Sequence, residues 1–238
     1  MAMKLLRLFL MAVALSGQQT YPVAPDAADE VGFVPIFDGK TLTNWDGDPV
    51  YWRVENGCLV GEVTPATLLK RNTFIIWRGG VTRNFELKVE YRISGRGNSG
   101  INYRSVELPD LKWAMRGYQA DIDGQNKYTG QNYEERGRTF LAMRGQITHA
   151  TGPERRRSVT GSLGEAKELE KFIRNGDWNE YHLIVRGNML IHMLNGHLMS
   201  EVIDDDGEFR QLEGLLGVQV HVGPPMKVEY RNFRLKKL

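Results

Sequence analysis

The sequence predicts an all-β protein, two antiparallel sheets packed face to face as a β-sandwich, with one short helix. Three observations carry this. Turn-forming pairs recur at short intervals, among them Asp38-Gly39, Asp46-Gly47, Asn56-Gly57, Gly79-Gly80, Asp123-Gly124, Gly187-Asn188, Asn195-Gly196 and Asp206-Gly207. The segments between them alternate apolar and polar residues with period two, the pattern of half-buried strands joined by tight turns. Only one segment has helical spacing.

At the N-terminus, Lys4 and Arg7 precede an apolar run over residues 8–15, too short to span a bilayer, and Ala14 and Ser16 place small residues before a cut after Ser16. Residues 1–16 therefore read as a signal peptide, and the expected location is a periplasm or the cell exterior. Residues 17–31, rich in Pro, Ala and Asp, read as a flexible spacer. Residues 32–238 read as one domain, with no later stretch apolar enough to cross a membrane.

Within that domain, Asn56-Gly57 joins strands at 51–55 and 58–63 into a hairpin. The clearest strand is 85–93, with Phe85, Leu87, Val89, Tyr91 and Ile93 on one face and Glu86, Lys88, Glu90 and Arg92 on the other. Shorter strands are expected at 101–104, 118–123, 181–186, 218–222 and 228–235. The last changes phase near Arg231-Asn232, which predicts a bulge. Asn195-Gly196 closes the clearest hairpin, between 189–194 and 197–202. Leu163, Ala166, Leu169 and Phe172/Ile173 predict the helix over 163–175, started by a Ser162/Glu165 capping box and ended at Asn175-Gly176. Residues 124–161 read as a long polar insertion with little periodicity.

Composition narrows the function. Of 238 residues, 31 are basic and 29 acidic, and removal of the first 16 leaves 29 of each, which gives no electrostatic footprint for nucleic acid or an anionic membrane. The single cysteine, Cys58, excludes an internal disulfide framework and a paired-cysteine zinc site, and fits a buried small residue.

A sandwich of this kind offers ligands the loops at one end or the outer face of one sheet. Polar residues opposite the core positions are Glu90 and Arg92; Asn102 and Arg104; Gln119, Asp121 and Asp123; and Gln219 and His221. If those strands are neighbours, the side chains form one patch of carboxylate, amide, guanidinium and imidazole, groups that bind sugar hydroxyls. For acid–base work the candidates are Glu90, Asp121, Glu134, Glu135 and His221, and an exposed Glu among them would need burial or a carboxylate neighbour to act near neutral pH. Asp121-Ile-Asp123-Gly and Asp204-Asp205-Asp206-Gly-Glu208 leave a divalent metal open, but neither completes a calcium-loop spacing and Asp/Gly turns explain both. His192, in an apolar run, reads equally as a core histidine or a ligand. No HExxH pair, GxSxG elbow or Walker loop is present, and GRGNSG (residues 95–100) has no helix after it, which excludes nucleotide binding.

Residues 32–45 (GFVPIFDGKTLTNW) and 52–61 (WRVENGCLVG), then FELKVEYR (85–92), GNSGINYR (97–104), GYQADI (117–122), DWNEY (177–181), LNG (194–196), GVQVH (217–221) and VEYRNFRL (228–235), resemble the 3-keto-disaccharide hydrolase domain family in order and over essentially all of 32–238. The resemblance implies a concanavalin A-like jelly roll, bacterial export, and cleavage of glycosides whose sugar is oxidised at C3. A C3 ketone acidifies the C2 proton, so a base can remove it, the C1 substituent can leave and water can add. On this reading Glu90, Asp121 and His221 share the proton work. Arg92, Asn102, Arg104, Tyr118, Gln119, Glu134, Arg136 and Gln219 form the sugar-binding set, and no cofactor is identified. The YEERGR segment (133–138), and Val222 where a glycine often follows the histidine, depart from many relatives. A noncatalytic carbohydrate-binding module therefore stays open as the alternative.

Overall fold

The computed structural model describes residues 30–152 and 156–238, and the expected signal peptide and nearly all of the spacer lie outside them. Gly32–Leu238 forms one compact unit. Its strands are β1 (Val34–Pro35), β2 (Trp45–Asp46), β3 (Trp52–Glu55), β4 (Cys58–Val63), β5 (Thr73–Thr82), β6 (Phe85–Ile93), β7 (Asn98–Glu107), β8 (Met115–Asp123) and β9 (Asn132–Glu135). They continue as β10 (Thr139–Ala142), β11 (Gln146–Thr151), β12 (Arg156–Ser162), β13 (Asn179–Arg186), β14 (Met189–Leu194), β15 (His197–Asp204), β16 (Gly214–Val220) and β17 (Met226–Lys237), with α1 (Ala166–Glu170) between β12 and β13.

These strands make two sheets. A ten-stranded sheet runs β12-β11-β15-β14-β13-β6-β17-β4-β3 with β1 paired to β17, and a seven-stranded sheet runs β10-β9-β8-β7-β16-β5-β2. Among the described residues, β11 with β15 is the one parallel pair. Period-two alternation sends one side of each sheet inward. Phe85, Leu87, Val89 and Tyr91 from β6 meet Ile101, Tyr103, Tyr118, Ala120 and Val218 from the opposite sheet, all but sealed from water. Each of the larger aliphatic or Phe side chains contributes roughly 1.5–3 kcal/mol by its burial.

Polar groups inside this core are paired across it. The Tyr103 hydroxyl accepts from Asn132 Nδ2 (3.0 Å) and donates to His192 Nε2 (2.8 Å), while His192 Nδ1 donates to the Gln131 carbonyl (3.2 Å). Burial pushes His192 down to about 3, so it is a neutral core histidine tying β14 to the opposite sheet.

Both expected hairpins form, with Asn56 and Gly57 (φ 50° and 79°) and Asn195 and Gly196 (φ 49° and 81°) in the left-handed region that such turns require. The register between β17 and β6 shifts between Arg231 and Arg234, at the expected bulge. Three expectations are corrected. Gly79-Gly80 is not a turn but lies within β5, where Gly79 leaves room for the Trp77 ring. The helix spans only Ala166–Glu170. Beyond it the backbone bonds reach three residues back (Phe172 to Leu169, Ile173 to Glu170), and Glu165 at the N-cap makes no side-chain cap bond. Leu169 and Ile173 still enter the core.

The polar insertion is not a long loop, because it contains β9 to β12. Two of its arginines, Arg138 and Arg144, are enclosed by internal partners. Arg144 donates to the carbonyls of Asn126, Thr129 and Ala166 and to Glu170. Arg138 meets Glu134 (2.7 Å), Asp204 (2.6 Å) and Asp206 (3.4 Å), all buried. Cys58 is buried as expected.

Candidate active site

On the face of the seven-stranded sheet turned away from the core, β8 presents Gln119 and Asp121, β9 presents Tyr133 and Glu135, β16 presents Gln219, and β7 presents Asn98 and Asn102. The strand order β9-β8-β7-β16 makes them neighbours. His221 follows β16 directly, and Asn72 precedes β5. A cleft of about 540 Å³ opens here, its walls including Asp121, Glu135, Arg136, His221, Asn72 and Tyr133.

One side of the cleft is aromatic. Phe140 from β10 packs against Tyr133 (centroids 5.1 Å apart) and Tyr128 (6.1 Å). This wall and the sheet below withdraw Asp121 from water, leaving it 7% exposed. Burial first, with the charges of Asp123 and Glu135 adding to it, pushes its carboxyl up to about 8 against the opposing hydrogen bond from Gln119. Asp121 therefore carries its proton at neutral pH. Gln119 Nε2 donates to Asp121 Oδ1 (2.7 Å), and Gln219 Nε2 donates to Gln119 Oε1 (3.2 Å), so a relay of two amides fixes the acid.

Glu135 stands across the cleft. Burial raises its carboxyl, while Asn72, Arg136, His221 and Gln219 oppose the rise. Asn72 bridges two elements: Nδ2 donates to Glu135 Oε1 (3.3 Å) and Oδ1 accepts from the Val222 amide (3.0 Å). His221 Nδ1 donates to the Val222 carbonyl (2.6 Å), which in the neutral ring places the proton on Nδ1 and makes Nε2 the acceptor. The cleft thus holds a protonated acid, a second carboxyl and an imidazole with a free acceptor nitrogen. Arg136, at positive φ (56°) in the turn after β9, stands with its guanidinium 3.7 Å from Glu135.

Among the residues expected to carry the chemistry, Asp121, Gln119, Glu135, Arg136 and His221 line this cleft, and Gln219 lies just beneath as the relay's outer link. The others do not reach it. Glu90 is the main correction. Its strand β6 sits between β13 and β17 in the ten-stranded sheet, on the far side of the core, and its carboxylate is held by Arg231 (2.6 Å) and Asn232 (2.6 Å). Arg92, on the same strand, pairs with Glu229 (2.8 Å) and lies over Trp178.

Arg104 has a strained φ of 43°, which turns its side chain onto the carbonyls of Arg83, Gly187 and Gln211, so it is a brace. Tyr118 points into the core and donates to Asp204 (2.5 Å). Glu134 turns away from the cleft to Arg138. Asn102 is on the right face but fully buried between Gly217 and Gln119. Of the two Asp/Gly segments, Asp123 is occupied by the amides of Tyr128 and Thr129, and Asp204 and Asp206 by Arg138. Sequence reasoning passed over Asn72, Tyr128, Tyr133 and Phe140. Tyr133 had a signal in its alternation with Glu135, whereas Asn72 had none.

The chain matches the family described as "3-keto-alpha-glucoside-1,2-lyase-like domain" over residues 32–236. It is 34% identical over 94 residues to a 3-keto-disaccharide hydrolase of Bacteroides thetaiotaomicron, a match that covers 34% of this chain and 30% of that protein's length. Solved structures of similar fold include a candidate glycosyl hydrolase from Parabacteroides distasonis (TM-score 0.56, 20% identity, 91% of this chain and 98% of that one). A carbohydrate-binding module from Bacillus subtilis is also similar (0.54, 15%, 82% and 96%), as is a B. subtilis protein of galectin-like fold (0.55, 12%, 87% and 95%). The sandwich is thus of the jelly-roll, galectin-like kind. With its whole folded unit matched, the chain belongs to the 3-keto-alpha-glucoside-1,2-lyase-like domain family.

Proposed function

We propose that this protein cleaves glycosides whose sugar carries a ketone at C3, by elimination across C1–C2 followed by addition of water. The observation that carries the reading is the opposition, within one cleft, of a proton-bearing Asp121 to Glu135 and the free Nε2 of His221. His221 Nε2 takes the C2 proton, and the C2–H electron pair moves into an enolate whose charge rests on the C3 oxygen. Arg136 faces that oxyanion, and the Glu135 carboxyl opposite supports the imidazolium. The enolate then re-forms the ketone, C1=C2 forms, the C1–O bond breaks, and Asp121 gives its proton to the departing oxygen. Water returns hydroxyl to C1 and hydrogen to C2, so the sum is hydrolysis. Asp121 suits the acid role because burial keeps its proton in place until about pH 8.

The names of the matched family and of the B. thetaiotaomicron relative support this substrate class. The N-terminal sequence supports export, and no helix among the described residues is long and apolar enough to cross a membrane. Incubation with 3-keto-trehalose and with both anomers of a methyl 3-keto-glucoside tests the reading: free 3-ketoglucose, or its C1–C2 enone, is expected from at least one. Binding of unoxidised glycans with no turnover of any 3-keto glycoside would overturn it in favour of a carbohydrate-binding module.

A further inference from the structure

Beside the cleft lies a second hollow of about 330 Å³, and Arg71 lines both. The 330 Å³ volume is in the range of small-molecule sites. Its walls come from three loops: Asp48 and Tyr51 after β2, Leu69, Lys70 and Arg71 before β5, and Lys112 and Trp113 before β8. The Phe74 amide donates to the Trp113 carbonyl (2.9 Å), and Trp113 Nε1 donates to Asp46 (2.9 Å), so the ring is held at the edge of the hollow.

The charge here is unbalanced. Lys70 and Arg71 are exposed and have no ion-pair partner among the described residues. Lys112 lies 4.0 Å over the Trp113 ring, and the nearby Asp46 is already shared by Arg78 and the Trp113 indole. Against three cations the hollow itself holds one carboxylate, Asp48, which accepts from the Val50 amide. The contrast is with Trp178 on the other sheet, where the flanking Arg92 and Arg231 are answered by Glu229 and Glu90.

We infer that this hollow receives the leaving group of the substrate and selects one that bears an anionic substituent, a carboxylate or a sulfate ester, through Lys70, Arg71 and Lys112. The inference rests on the 3-keto-glycoside reading of the adjoining cleft. On this reading the sugar ring of the leaving group lies against the apolar lining that Tyr51 and Leu69 give the hollow, and its anionic group meets the cations. Exposed charges of this kind act mainly on recognition and fade with salt.

The test compares three disaccharides whose non-reducing unit is 3-ketoglucose and whose reducing unit is glucose, glucuronate or glucose 6-sulfate. Their leaving hydroxyls are alike in acidity, so charge alone distinguishes them. At low ionic strength, kcat/KM for at least one acidic substrate is expected to exceed that for the neutral one by about three- to tenfold. The acidic substrate that gains identifies the anion. The advantage should disappear in a Lys70→Gln/Lys112→Gln double variant, which leaves the neutral substrate within about twofold of wild type. Equal rates on all three, or a preference that survives the double variant, would overturn the inference. Failure to turn over any of them would instead count against the proposed reaction. Titration calorimetry with methyl glucuronide and with glucose 6-sulfate then decides the hollow directly: binding lost in the double variant supports it, and no binding to wild type overturns it.

Discussion

Gln119 Nε2 reaches Asp121 Oδ1 at 2.7 Å along one strand, both side chains on the outer face of β8. Residues two apart in a strand share a face, so the chain needs only local geometry to place an amide against the acid. The bond engages one carboxyl oxygen, Oδ1, of a residue that lines the cleft. It also opposes the rise that burial imposes on Asp121.

Activity should therefore fall as pH rises past about 8, where Asp121 loses its proton. Gln119→Leu removes a bond that favours the ionised form, so the alkaline limb should move to higher pH, with kcat reduced roughly 10-fold or more by the loosened acid. A pH–rate profile of both proteins checks this. An alkaline limb unmoved by the substitution would assign it to another group.

The same acid leaves a mark on stability. Its carboxyl titrates near 3.8 in a free chain and near 8 in the fold, so the native state is the better proton binder between those values. Asp121 thus contributes stability below about pH 4 that is lost progressively as pH rises to 8, with a ceiling of about 6 kcal/mol. Asp121→Asn should flatten the decline in denaturation midpoint between pH 5 and 8. A decline that persists in the variant would place its origin elsewhere.

Arg138 is the cation among Glu134, Asp204 and Asp206, and it joins the turn after β9 to the end of β15 in the opposite sheet. Arg138→Met leaves buried carboxylates unanswered and should cost about 3–5 kcal/mol in urea unfolding. A loss below about 1 kcal/mol would mean the acids take up protons or water without penalty.

Glu90 supplies the control. Its carboxylate serves Arg231 and Asn232 on the sheet remote from the cleft. Glu90→Gln should leave kcat/KM within about twofold and cost less than about 1 kcal/mol. A loss of activity beyond tenfold would move the reacting centre to the other sheet.

By itself the sequence determined the all-β class, the clearest strands, both Asn-Gly hairpins and the β17 bulge, because strand alternation and left-handed turn residues are local properties of the chain. It also placed Gln119 and Asp121 on one face of β8, since that too is local. What only the tertiary structure decided was which strands are neighbours. Glu90 and Asp121 read alike as polar positions opposite a core face, yet β6 and β8 enter different sheets with the whole core between them. Arg138 and Arg144 look like solvated loop charges until partners far away in the chain enclose them. Asn72 carries no pattern at all and becomes part of the cleft because β5 starts where β16 ends, within reach of both Val222 and Glu135. Long-range pairing decides these positions, and no periodicity within a single strand encodes it.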